Sequence, residues 1–116
     1  MQEFDIPIFK KTYDLYKLFH ELRNKANKQD RFTIFAKTEN ILLNIIEGIL
    51  EASELNKNEK LPILKKTSTK LNMLRVFVRL MKDTKSVDLK SYSHLEENVD
   101  EIGRMLGGWI KSTKEA

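Results

Sequence analysis

Cysteine is absent from this chain of 116 residues. That excludes disulfides, thiol catalysis and thiolate zinc sites together, and it fits a reducing cytoplasmic setting. Glycine and proline are scarce, at 4 and 2 residues. A many-stranded β fold needs more turns than these can supply, so long helices are expected. No apolar run reaches the ~18 residues of a membrane-spanning helix, so no membrane association is expected. The opening Met1-Gln2-Glu3-Phe4-Asp5 has no basic segment followed by an apolar one, so no secretory leader is expected there. Histidine is limited to His20 and His94. There is no phosphate-binding glycine loop, no His-Glu-x-x-His, no Gly-x-Ser-x-Gly and no paired-carboxylate motif. An enzyme is therefore not expected, nor a metal site or cofactor.

Hydrophobic residues make up 41% of the chain, too many and too regularly spaced for a disordered tail. The length suits one domain spanning residues 1–116, with a modest core. Four helices can be read from the spacing. The first covers about 7–27, with Pro7 in its first turn and Asp5 as its cap. It carries two apolar rows, Phe9-Tyr13-Tyr16-His20 and Ile8-Leu15-Phe19-Leu22. The second covers about 30–54, with the stripe Phe32, Phe35, Leu42, Ile46 and Ile49 widened by Ile41, Leu43, Ile45 and Leu50. The third covers about 60–83, with Pro62 in its first turn and the row Leu64, Thr67, Leu71, Leu74, Val78 and Met81. The fourth covers about 93–112, opened by a Ser93/Glu96 capping box and built on Leu95, Val99, Ile102, Leu106 and Trp109. Short links between helices of this length predict an all-α, antiparallel, up-down-up-down four-helix bundle.

Charge is unevenly distributed. Residues 56–90 hold 10 basic and 3 acidic residues, a net of +7. Residues 1–55 hold 8 and 9, and residues 91–116 hold 3 and 5. One basic segment thus favours an anionic partner. The same segment has more apolar surface than one bundle can use. With Leu64 placed at zero, the core row lies at roughly 260° to 360° around the helix. Met73, Val76, Phe77 and Leu80 fall on another side, at roughly 120° to 220°. They are candidate oligomer-interface residues. Gly103 and Gly107, four apart on the last helix, would admit another backbone and join that set. Arg75, Arg79 and Lys82 form a ridge between the two faces. Together with Lys65, Lys66 and Lys70 they are the candidate nucleic-acid contacts. Arg75 and Arg79 could equally pair with carboxylates across a subunit boundary. Aromatic and basic residues do not alternate on an exposed face, so binding would be directed to the backbone and tolerant of sequence.

Two segments carry a resemblance to a known family. Leu74-Arg75-Val76-Phe77-Val78-Arg79-Leu80 and Ile102-Gly103-Arg104-Met105-Leu106-Gly107-Gly108-Trp109-Ile110 resemble the accessory variability determinant (Avd) proteins of diversity-generating retroelements. These sit within a wider group of four-helix-bundle proteins of the 23S rRNA intervening-sequence type. The resemblance extends from about Tyr13 to Ser112. It implies a cytoplasmic homopentamer shaped as a barrel, binding RNA or DNA and a reverse transcriptase in support of mutagenic retrohoming. The alternative is an oligomeric interaction module of the intervening-sequence type with no nucleic-acid role. Neither His20 nor His94 has an Arg a few residues before it, as helical ribonucleases of the HEPN type do. One buried polar contact is expected, between His20 in the first helix and Glu39 in the second, as a hydrogen-bonded structural pair. Arg104 is expected to pair locally with Asp100 or Glu101.

Overall fold

Local sequence decides where each helix starts, and in several places it does so differently from the simple periodic reading. A computed structural model of the protein describes residues 5–115; the N-terminal tetrapeptide read above for a leader lies outside them. Helix α1 runs Pro7–Lys25. Proline at its first position forces the preceding residue into extended backbone, so Ile6 and not Asp5 occupies the cap, with no side-chain cap bond. Its core side is Ile8, Phe9, Thr12, Leu15 and Phe19. The row Phe9-Tyr13-Tyr16-His20 is divided: Tyr13 and His20 are exposed, whereas Phe9 is buried and Tyr16 packs against the core.

The expected second helix is two helices. A one-turn α2, Lys28–Phe32, is capped by the Asn27 side chain, which accepts from the Asp30 amide at 2.8 Å. Thr33 then leaves helical geometry at φ −117° and ψ −94°, and α3 begins at Ile34 and runs to Ser53. The break frees the carbonyl of Arg31, which a continuous helix would give to the amide four residues on. It accepts instead from Arg23 Nε at 3.1 Å. The break also removes Phe32 from the stripe it shares with Phe35 by spacing: Phe35 is fully buried and Phe32 is 66% exposed. Most of the wide apolar arc on α3 is used inside the chain, where Ile46 and Leu50 pack against the core.

Helix α4 runs Lys57–Asp83. Asn56 caps it by accepting from the Glu59 amide, so it begins a turn earlier than expected and Pro62 falls in its second turn. It closes on Lys85, which adopts the left-handed conformation (φ 61°) while the Ser86 amide bonds back to the Met81 carbonyl at 2.8 Å. Helix α5 runs Leu89–Glu115. Asp88 caps it, accepting from the Ser91 amide at 2.7 Å, so the Ser93/Glu96 box is not its start. Glu96 takes the Tyr92 hydroxyl instead. Gly107 and Gly108 do not end the helix.

The long helices form a closed square: α1 and α4 lie on opposite sides, each packed between α3 and α5. The molecule measures 46 × 27 × 21 Å. Its core takes the predicted α4 row whole, Leu64, Thr67, Leu71, Leu74, Val78 and Met81, with Leu95, Val99, Ile102 and Leu106 from α5. Phe19 and Phe35 join α1 to α3 with ring centroids 5.3 Å apart. Burial of such side chains contributes on the order of 1.5–3 kcal/mol each and dominates the stability. Among the described residues, no helix is long and apolar enough to cross a membrane.

Candidate interfaces around helix α4

Helix α4 turns its second apolar face to solvent. Val76 is 66% exposed, Leu80 42% and Met73 36%. Phe77, at the edge of this face, is half-buried and packs against the chain's own core, so it belongs only partly to the set assigned from spacing. The two α5 glycines singled out by spacing, Gly103 and Gly107, also separate. A Cβ on Gly103 would stand 2.4 Å from Nη2 of Arg75, whereas one on Gly107 would meet nothing within 4 Å. Gly103 therefore seats a side chain of its own molecule, and of this pair Gly107 is the one open to a second backbone, as is Gly108 beside it.

The six cations expected to contact nucleic acid fall in three places. Arg75 bonds Asp100 on α5 through Nη1. Arg79 reaches Asp83 on its own helix at 4.0 Å. Lys82 stands 5.0 Å over the Tyr92 ring. Arg75 and Arg79 line a groove between α4 and α5 of about 280 Å³ with Val76, Val78, Tyr92, Glu96 and Val99. Lys66 and Lys70 lie across the helix, in a groove of about 320 Å³ between α3 and α4 that also holds Glu47 and Glu51. Lys65 points to a third groove, at the end of the bundle, with Lys57 and Lys114. The reason is the 100° step of the helix, which places Lys65, Lys66 and Arg75 on different sides of one rod.

At the α1–α3 seam the expected pair is present only as a loose contact. Nδ1 of His20 stands 3.9 Å from Oε1 of Glu39, and the imidazole is more than half exposed. The strong partner of Glu39 is Arg23, whose Nη1 donates to Oε2 at 2.8 Å. One guanidinium thus binds α1, the freed carbonyl of α2 and a carboxylate of α3. Arg23 sits three residues after His20 on the same side of the hairpin, so its better match to a carboxylate was legible in the spacing. Glu39 Oε1 is buried with no hydrogen-bond partner. Burial and the neighbouring Glu39 carboxylate together raise the Tyr16 phenol above its ordinary range.

Arg104 is exposed, and the carboxylates expected to hold it are engaged elsewhere: Asp100 with Arg75, Glu101 with Lys11 of α1 at 2.9 Å. The Lys11 hydrogen bond holds the Glu101 carboxyl below its usual value. Gly48 on α3 has no signal in the apolar spacing, which reports faces and not the distance between helices. A Cβ there would come within 2.1 Å of Thr67 Oγ1, so it marks a close approach of α3 to α4. Among the described residues, no three His, Cys, Asp or Glu side chains are grouped to hold a metal ion.

A family model described as bAvd-like matches residues 7–113, nearly the whole chain. No curated protein matches it.

Proposed function

Because the chain belongs to the bAvd-like family, we propose that it is a non-enzymatic accessory protein of a diversity-generating retroelement. In this reading it assembles into a homopentamer and binds both RNA or DNA and a reverse transcriptase to support mutagenic retrohoming. The observation that carries the reading is the α4 face of Met73, Val76 and Leu80, apolar and uncovered by the chain's own helices. Large side chains left in water at this density favour a second copy of the same surface or a neighbouring one. Cations that border the face would repeat around a ring, so a modest net charge per chain would sum to a strong field. Binding of this kind is carried by phosphates and falls steeply with salt.

A second reading is favoured by the pairing of Arg75 with Asp100 and by Glu47 and Glu51 beside Lys66 and Lys70. There the cations are interface devices, and the protein is an oligomeric interaction module with no nucleic-acid role. Solution mass and a salt series separate the readings. The first expects a multimer that binds RNA at low salt and loses about 10²-fold or more by physiological salt. An RNA-silent multimer at micromolar protein supports the second, and a monomer removes both.

A further inference from the structure

We propose that RNA is held at the end of the bundle where α4 begins and α5 finishes, by Lys57, Lys60, Lys65 and Lys114, and not along the arginine ridge. This rests on the nucleic-acid reading above and deepens it by placing the contact.

The inference comes from which cations already have a carboxylate. Arg75 has Asp100, Arg79 has Asp83, and Lys66 and Lys70 share their groove with Glu47 and Glu51. The end of the bundle differs. A groove of about 560 Å³ there is lined by Lys57, Asn58, Leu61, Pro62, Lys65, Thr113 and Lys114. A second, of about 240 Å³, is lined by Lys57, Lys60, Trp109, Ser112 and Thr113. The two share Lys57 and Thr113, so they form one continuous track, and among the described residues no acidic one lines either part. Glu54, Glu59 and Glu115 belong to the same end of the bundle but line neither groove. The start of α4 brings positive partial charge and the finish of α5 brings negative, so the helix ends largely cancel and the lysines set the sign.

The chemistry fits a phosphodiester backbone. Lysine ammonium groups act as compact charges without a fixed approach angle, which suits phosphates in a flexible strand. Lys60 lies 5.6 Å over the Trp109 ring, so that ring face is occupied by a cation and is not offered to a base. Ser112 and Thr113 spend their hydroxyls on the Trp109 carbonyl. The lining is dominated by lysines, with Asn58 its one amide side chain, so the track should hold RNA largely without regard to sequence. Leu61 and Pro62 supply an apolar floor for the sugar.

The test is fluorescence anisotropy of a labelled mixed-sequence single-stranded RNA with the full chain in its native assembly, across a salt series. K57E/K65E/K114E should weaken binding at least ~10-fold and reduce the salt slope by about 2, some 0.7 for each lysine lost. K66E/K70E should bind within ~3-fold of wild type. All five positions lie on the surface or in open grooves, and K57Q/K65Q/K114Q, which keeps polar side chains of similar reach, should show the same loss in smaller measure. Wild-type-like binding by the end variants, with loss in K66E/K70E, overturns the placement and leaves the nucleic-acid reading intact. No RNA binding by wild type at low salt overturns both. Displacement of RNA by a polyglutamate peptide of matched charge at equal concentration would also overturn it, by marking an acidic-peptide site.

Discussion

At the scale of single residues, a few polar contacts tie one helix to the next across the apolar core. Arg23 is the clearest. Arg23→Ala deprives Glu39, less than a fifth exposed and already unpaired at Oε1, of its guanidinium partner, and frees the Arg31 carbonyl as well. A loss of about 2 kcal/mol is expected in denaturant unfolding. His20→Ala should cost under about 0.5 kcal/mol, since the imidazole is exposed and its oxygen partner is 3.9 Å away. Equal losses for the two variants would restore the histidine to the structural role that spacing assigned it. Gly48 makes the complementary case for space. Gly48→Ala drives a methyl group into Thr67 Oγ1 and should cost about 1–3 kcal/mol. In the Thr67→Ala background much of that penalty should vanish. A double-mutant cycle with no coupling would show that α3 and α4 separate freely to admit the methyl.

At the scale of helices, the caps decide boundaries that hydrophobic spacing leaves open. Asp88 starts α5, and the Ser91 amide that it accepts from holds its carboxyl below its ordinary value of 3.8. A folded-state value lower than the unfolded one contributes stability that is present above the unfolded value. That contribution disappears as pH falls through the folded one. Asp88→Asn keeps an acceptor but cannot titrate. Thermal melts of wild type and this variant should therefore run parallel above about pH 5 and converge toward lower pH. A difference that stays constant down to pH 2 would mean that the charge of Asp88 plays no part. The Tyr16 phenol has the opposite sign: its raised value means that any stability linked to it is lost only as pH rises past 10, far above neutral conditions.

At the scale of the whole molecule, the decisive feature is a bundle that closes its core and still leaves one helix face greasy. Val76 is the cleanest probe, at 66% exposure with no share in the core. Val76→Glu should leave the monomer's stability within about 0.5 kcal/mol while shifting the assembly to smaller species in light scattering. An unchanged mass would move the subunit contact to another face. Phe77 is a poorer probe, because it packs on the core and its replacement disturbs the fold together with any interface.

Periodicity alone determined the inward faces of α4 and α5. The row from Leu64 to Met81 and the run from Leu95 to Leu106 were legible because a helix repeats its environment every 3.6 residues. The uncovered face through Met73, Val76 and Leu80 was legible by the same count, as apolar residues on a side that the row did not use. The bAvd-like family was legible in the segments around Arg75 and Gly103. The break at Thr33 was not, because the stripe through Phe32 and Phe35 continues across it at helical spacing and only Arg23, from another helix, accounts for the carbonyl it frees. Nor was the division of the cations. Spacing reports which residues share a side of one rod, but a charge is neutralised by whatever the neighbouring rod presents at that height. That depends on how each helix is rotated and shifted in the bundle, so Arg75 met Asp100, Lys66 and Lys70 came to share a groove with Glu47 and Glu51, and among the described residues no acid lines the grooves at the bundle's end.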